Sequence, residues 1–140
     1  MSYQRQSVTL ELDTDVTHQC YVHHTRDDHL IGILEFCKPS FALQWGDLEY
    51  FRRRCDEFSV MPFPDCINAI IVDIRDVACF LDQDMPIVPW RLVEEECPIR
   101  LIVPHDRLEY YAGIFEPTWL SSDLDSAIYE LREFMDMLVH

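Results

Sequence analysis

The chain has 140 residues, enough to bury roughly two-thirds of its unfolded surface in one domain and too few for two ordinary ones. Its 26 acidic residues against 11 basic ones give a formal charge of -15, which repels nucleic-acid backbones and anionic lipid surfaces. With 49% hydrophobic and 12% aromatic residues, that charge belongs to the surface of a folded protein, because disordered acidic chains lack this apolar content.

No run reaches the ~18 apolar residues of a membrane span, and the opening MSYQRQSVTLELDTD has neither a basic n-region nor an apolar core. The expectation is a cytoplasmic protein without membrane insertion. The cysteines at 20, 37, 55, 66, 79 and 97 lie too far apart for a CxxC redox pair or a zinc knuckle, so they read as reduced and mostly buried thiols.

Residues 1–15 are polar apart from Val8, Leu10 and Leu12, whose alternation predicts a leading edge strand or an extended arm. The core then runs over 18–138. From His18 to Thr25, and again from His29 to Phe36, two strands flank the polar turn Arg26-Asp27-Asp28 and form a hairpin. Its second strand offers Leu30, Gly32 and Leu34 to one face and Ile31, Ile33 and Glu35 to the other.

Pro39 stops that strand, and Ser40 is placed to cap a helix over 41–58 whose stripe is Phe41, Trp45, Leu48, Phe51, Cys55 and Phe58. The breaker-rich Met61-Pro62-Phe63-Pro64-Asp65 delivers the chain to Ala69-Ile70-Ile71-Val72, an apolar β-branched run that fits a central parallel strand ending at Ile74. Pro89 opens a helix through Trp90, Leu92, Val93 and Glu94-Glu95-Glu96. Ile99 to Val103 reads as a neighbouring parallel strand. Pro104-His105-Asp106 starts a shorter helix carrying Leu108, Tyr111, Ala112 and Phe115. Pro117 to Leu120 reads as a brief extended segment. Ser122 with Asp125 then makes a capping-box start for a closing helix bearing Leu124, Ala127, Ile128, Leu131, Met135 and Leu138.

The fold class is therefore α/β: one domain over 1–140, a mixed four- to five-stranded sheet, and about four helices packed mainly on one face. In such sheets partners and ligands dock at the carboxyl ends of the parallel strands, which directs attention to the polar segment from Arg75 to Asp84.

Candidate chemistry is sparse. His18, Cys20, His23, His24 and His29 crowd one hairpin with zinc-preferred ligand types, but neighbours on a strand point to opposite faces, so titrating surface histidines are the ordinary reading. Cys79 lies between Asp76 and Asp82, an acidic setting unlike that of a thiolate nucleophile. Arg52-Arg53-Arg54 reads as a solvated helix face with pairs Arg52 to Asp56 and Arg53 to Glu57. Asp73, Asp82 and Asp84 form a candidate carboxylate cluster for metal or acid-base work, against the plainer reading of a loop preceding a helix. The three glycines form no phosphate cradle, and neither a catalytic residue, a metal ligand nor a cofactor site is assigned.

The run Ile70-Ile71-Val72-Asp73-Ile74-Arg75-Asp76-Val77, the strand over 99–103 with its following helix, and the ending Trp119-Leu120-Ser121-Ser122-Asp123-Leu124-Asp125-Ser126-Ala127-Ile128 follow one another in an order that resembles the STAS superfamily. This is the sulfate-transporter and anti-sigma-factor-antagonist domain, with the looser STAS/SEC14-like proteins beside it. The resemblance implies a non-enzymatic regulatory domain acting by protein contact. Where regulatory members carry a phosphorylatable hydroxyl after this strand, this chain has Asp82-Gln83-Asp84-Met85-Pro86, so fixed negative charge is expected in place of a switchable one. Phosphate found on a nearby Ser or Thr after incubation with ATP and native lysate would contradict that.

The expected partner surface is Asp76, Phe80, Leu81, Asp82, Gln83, Asp84, Met85 and Trp90, with apolar anchors set beside acidic side chains. The alternative is a SEC14-like carrier of an apolar small molecule or lipid, which requires a cavity between the aromatic helix and the sheet. A homodimer through the arm or an exposed strand edge is a further expectation.

Overall fold

The computed structural model describes residues 4–9, 11–25, 29–59, 67–81 and 98–139. Thr17–His24 (β1) and Leu30–Lys38 (β2) form the expected antiparallel hairpin, in the register that sets Cys20 opposite Leu34. Ala69–Val77 (β3), Ile99–Ile102 (β4) and Leu120–Ser121 (β5) then add in parallel, completing a five-stranded mixed sheet in the order β1-β2-β3-β4-β5. Trp45–Ser59 (α1), Leu108–Ala112 (α2) and Leu124–Val139 (α3) are the α-helices among the described residues. The helix expected from Pro89 to Glu96 lies outside them.

β3 occupies the middle of the sheet for the reason its composition gives: Ile70, Ile71, Val72 and Ile74 are all fully buried, so both faces of the strand are covered. Alternation divides the core in two. Leu34, Phe36, Ile70, Val72, Ile74, Ile99 and Leu101 meet Phe51, Cys55 and Phe58 of α1 and Tyr111 of α2 on one face. Ile31, Ile33, Ala69, Ile71 and Ile102 meet Ala127, Leu131 and Met135 of α3 on the other. The expectation of helices mainly on one face is corrected accordingly. The even residues of β3 call for one helical layer and the odd residues for a second, and α3 supplies it.

Several boundaries shift for local reasons. Residues 4–9 and 11–16 form no strand, and the segment around Asp13 instead passes the start of α1, where Gly46 has no Cβ to collide with the Asp13 carbonyl. α1 begins at Trp45 and not at Phe41, because Ser40 is engaged elsewhere: its hydroxyl accepts from Lys38 Nζ at 2.8 Å and its N–H donates to Asp15 at 3.0 Å. The cap is made by Asp47, whose carboxylate reaches back from the third helical position to the Gln44 N–H at 2.8 Å. Phe41 and Trp45 are consequently 78% and 88% exposed, outside the core stripe they were expected to open.

Pro117–Trp119 is a 3-10 turn where an extended segment was expected, and only Leu120–Ser121 is strand. The closing helix is capped by Asp123, one residue later than Ser122, with its carboxylate accepting the Ser126 N–H at 2.8 Å. On α1, Arg52 pairs with Asp56 at 3.4 Å as expected, while Arg53 turns to Glu49 at 3.3 Å. Cys55 and Cys79 are buried, and Cys20 and Cys37 are exposed free thiols. No helix among the described residues is long and apolar enough to cross a membrane.

Candidate functional site

The carboxyl ends of β2, β3 and β4 meet at a groove of about 310 Å³. Lys38 and Pro39 form one wall, Arg75, Asp76, Val77 and Ala78 the floor, and Pro104, Asp106 and Arg107 the other wall. A bulge builds the floor. Glu35 pairs with Asp73 and Cys37 with Asp76, so β3 spends one more residue than β2 over the same interval. The extra residue resets the alternation. Ile74 and Val77 both stay in the core layer of α1, while Arg75 and Asp76 both emerge to solvent.

β3 therefore runs on to Val77, past the end at Ile74 expected for it, and Arg75 and Asp76 belong to the strand and not to a loop. The Arg75 N–H is held by the Asp73 carboxylate at 3.0 Å. The Arg75 guanidinium forks onto the same carboxylate at 2.7, 3.1 and 3.2 Å. That engagement takes Asp73 out of the expected carboxylate cluster, whose other members, Asp82 and Asp84, lie outside the described residues. Glu35 stands beside this pair, its carboxyl raised above its usual range first by burial and then by the charge of Asp73, with Arg75 opposing.

Arg107, in the 3-10 turn after β4, fixes the chain leaving β3. Its guanidinium donates to the carbonyls of Val77 at 3.2 Å, Ala78 at 2.8 Å and Cys79 at 3.2 Å, and lies 4.0 Å from the centre of the Phe80 ring. From α2, Tyr111 Oη accepts the Leu81 N–H and Tyr110 Oη donates to the Leu81 carbonyl, each at 3.2 Å. Tyr110 also meets the edge of Phe80 at 5.0 Å. Five carbonyl and amide groups of an otherwise irregular segment are thereby satisfied by three side chains of one turn and helix.

The residues expected at the partner surface divide on this geometry. Asp76 and Phe80 are exposed, Phe80 by 54%; Asp76 lines the groove, and Phe80 lies against Arg107 of its wall. Leu81 is fully buried, which corrects its assignment as an anchor: with both backbone groups bound to α2, its side chain is turned into the core. Asp82, Gln83, Asp84, Met85 and Trp90 lie outside the described residues.

Lys38, the only lysine in the chain, was missed by sequence reasoning. It is completely buried at the end of β2, 2.5 Å from Asp15 and 2.9 Å from Asp47. Burial disfavours its ammonium, but the hydrogen bonds of the two carboxylates prevail and raise its pKa above the ordinary lysine value. Asp15 is held far below the carboxylate range by its hydrogen bonds from Lys38 and Ser40. Asp47 is pushed up by burial yet ends low, through its bonds from Thr14, the Gln44 N–H and Lys38. Such a lysine is a structural cation, not a nucleophile. Neither is Cys79 a thiolate, since burial raises its pKa first of all.

On the hairpin, His18 Nδ1 lies 2.5 Å from Tyr50 Oη of α1, and its pKa is lowered by burial and then by Arg54. Among the described residues no three His, Cys, Asp or Glu side chains gather as a metal site. Comparisons with protein-family models, with curated proteins and with solved structures return no match to this chain. The functional reading rests on the geometry.

Proposed function

We propose that the chain is a non-enzymatic, STAS-like interaction module that engages a protein partner at the carboxyl end of β3. One observation carries the reading. Phe80 stands half out of the fold between buried Cys79 and buried Leu81, on a backbone pinned by Arg107, Tyr110 and Tyr111. An aromatic anchor held this rigidly loses little entropy on binding, and the exposed Asp76 of the groove floor supplies a charge for the rim. Among the described residues, the succession of hairpin, α1, buried β3, β4, α2, short β5 and capped α3 supports the STAS-like part of the proposal; the resemblance implies one more helix between β3 and β4, which falls outside those residues.

Carriage of an apolar molecule between α1 and the sheet is less well supported. A Cβ on Gly32 of β2 would stand 2.8 Å from Phe58 Cε1 of α1, so at that crossing the two layers are already in contact. The groove itself is walled by charged and proline residues, unlike the apolar lining a lipid requires.

The test is affinity capture from a native extract with wild type, with the Phe80→Ala/Asp76→Asn double variant, and with Trp45→Ala as an exposed aromatic elsewhere. A partner retained by wild type and Trp45→Ala but lost from the double variant supports the proposal. Equal retention by the double variant refutes it, and an apolar small molecule seen in native mass spectra of the purified chain would favour carriage.

A further inference from the structure

Among the described residues β1 lies at one edge of the sheet and pairs with β2 alone. It is eight residues long, and its sequence Thr-His-Gln-Cys-Tyr-Val-His-His contains no Asp, Glu, Lys, Arg or Pro. Natural edge strands are ordinarily blunted by charge, proline, a bulge or shortness, and β1 has none of these devices. In a chain of formal charge -15, such an uncharged stretch is where a second copy approaches with least repulsion.

The direction of the backbone groups can be read off. Thr25 N–H donates to the His29 carbonyl at 2.9 Å, one step beyond the His24–Leu30 pair, so odd-numbered residues of β1 direct their N–H and C=O at β2. On the other side of the hairpin, Leu30 accepts from the Asn68 N–H and donates to the Asn68 side chain, both at 2.9 Å, so its groups face away from its partner His24. His18, Cys20, Val22 and His24 therefore present their backbone donors and acceptors to the open edge.

We propose that this edge pairs with the β1 of a second copy across a two-fold axis, giving a continuous ten-stranded sheet. One antiparallel register uses all four outward residues: His18 with His24 and Cys20 with Val22 of the other copy, and the reverse, for about eight main-chain hydrogen bonds. That register sets Tyr21 opposite its own counterpart as a non-hydrogen-bonded pair, with Cα atoms about 4.5 Å apart. Tyr21 is exposed by 45%, and both tyrosine rings lie on the sheet face away from α1. Cys20 faces Val22 and so forms no bridge with its equivalent.

The experiment is sedimentation of the full chain, with two variants. Wild type should run at twice the 16.7 kDa chain mass in the micromolar range. Tyr21→Glu sets like charges opposite each other at an exposed position, and should weaken the dimer by about tenfold or more with an unchanged far-UV spectrum. Tyr21→Cys, in a background where the exposed Cys20 and Cys37 are serine, should form a covalent dimer on mild oxidation that the background alone does not, because a non-hydrogen-bonded pair matches disulfide spacing. A monomeric wild type, a dimer that Tyr21→Glu leaves intact, or a Tyr21→Cys chain that crosslinks no better than its background would overturn the pairing.

Discussion

Replacing Lys38 by methionine keeps the length of the side chain and removes the one cation between Asp15 and Asp47. Asp47 is completely buried and keeps two bonds, from Thr14 and from the Gln44 N–H at 2.8 Å, so it is left charged but not bare. Breaking a buried pair costs about 3–5 kcal/mol, and the surviving bonds to Asp47 place the expected loss at the lower end, about 3 kcal/mol at pH 7. Against a total stability of about 5–15 kcal/mol that is a large fraction, visible as a fall of roughly 10 °C in Tm.

The sign of the pH dependence follows from the carboxylates. Asp15 and Asp47 have folded pKa values below their unfolded ones, so their contribution is present above about pH 4 and is lost as pH falls through the lower folded values. Lys38, raised in the folded state, contributes below about pH 10.5 and loses that contribution as pH rises further. The Lys38→Met penalty should therefore be greatest between these limits and shrink in acid, where protonation relieves the stranded Asp47. Urea titrations followed by circular dichroism at pH 7 and in steps below pH 4 measure it. A loss under about 1 kcal/mol at pH 7, or a Lys38→Met/Asp47→Asn double variant no more stable than Lys38→Met alone, would refute the reasoning.

Gly32→Ala should destabilise by about 1–3 kcal/mol, since the new Cβ meets Phe58 at 2.8 Å and Ile67 at 3.0 Å, and Phe58→Leu in the same chain should recover part of the loss in a denaturant series. Asp123→Ala should cost about 1 kcal/mol by thermal melting and Ser122→Ala much less, because only Asp123 accepts the Ser126 N–H. Tyr111→Phe leaves the buried Leu81 N–H without its acceptor, and should cost about 1–3 kcal/mol while speeding hydrogen exchange at Leu81 relative to Ile70.

Periodicity made the layers legible, and it failed where side chains of distant segments compete for one another. The hairpin, β3, β4 and α3 are long patterned runs, and each lies where its alternation or helical spacing puts it. The start of α1 was not legible. Ser40 followed by an aromatic stripe has the local form of a cap, but Asp15 and Lys38, 25 and two residues away, take both of its polar groups. Leu81 was misjudged for a similar reason, its burial resting on Tyr110 and Tyr111 some thirty residues later. The signal that Lys38 mattered was available: the sole lysine of an acidic chain, set directly after an apolar strand, is an improbable solvent decoration.

The bulge in β3 joins what periodicity shows to what it hides. A strict period of two from Ala69 would send Val77 to the face of Ile71 and Asp76 into the layer beneath α1. One surplus residue prevents both outcomes, and the emerging pair becomes the floor of the groove. The bulge is stabilised locally, by an Asp73 carboxylate that holds the displaced Arg75 N–H and guanidinium together. Asp73 thus acts on the site without lining it: Asp73→Ala would release the displaced N–H, favour an unbulged register and draw Asp76 toward the core. Arg107 completes the arrangement from the far side by holding the three carbonyls that follow, so the direction in which Phe80 leaves the fold is set by two ion-bearing side chains that the strand pattern alone does not connect.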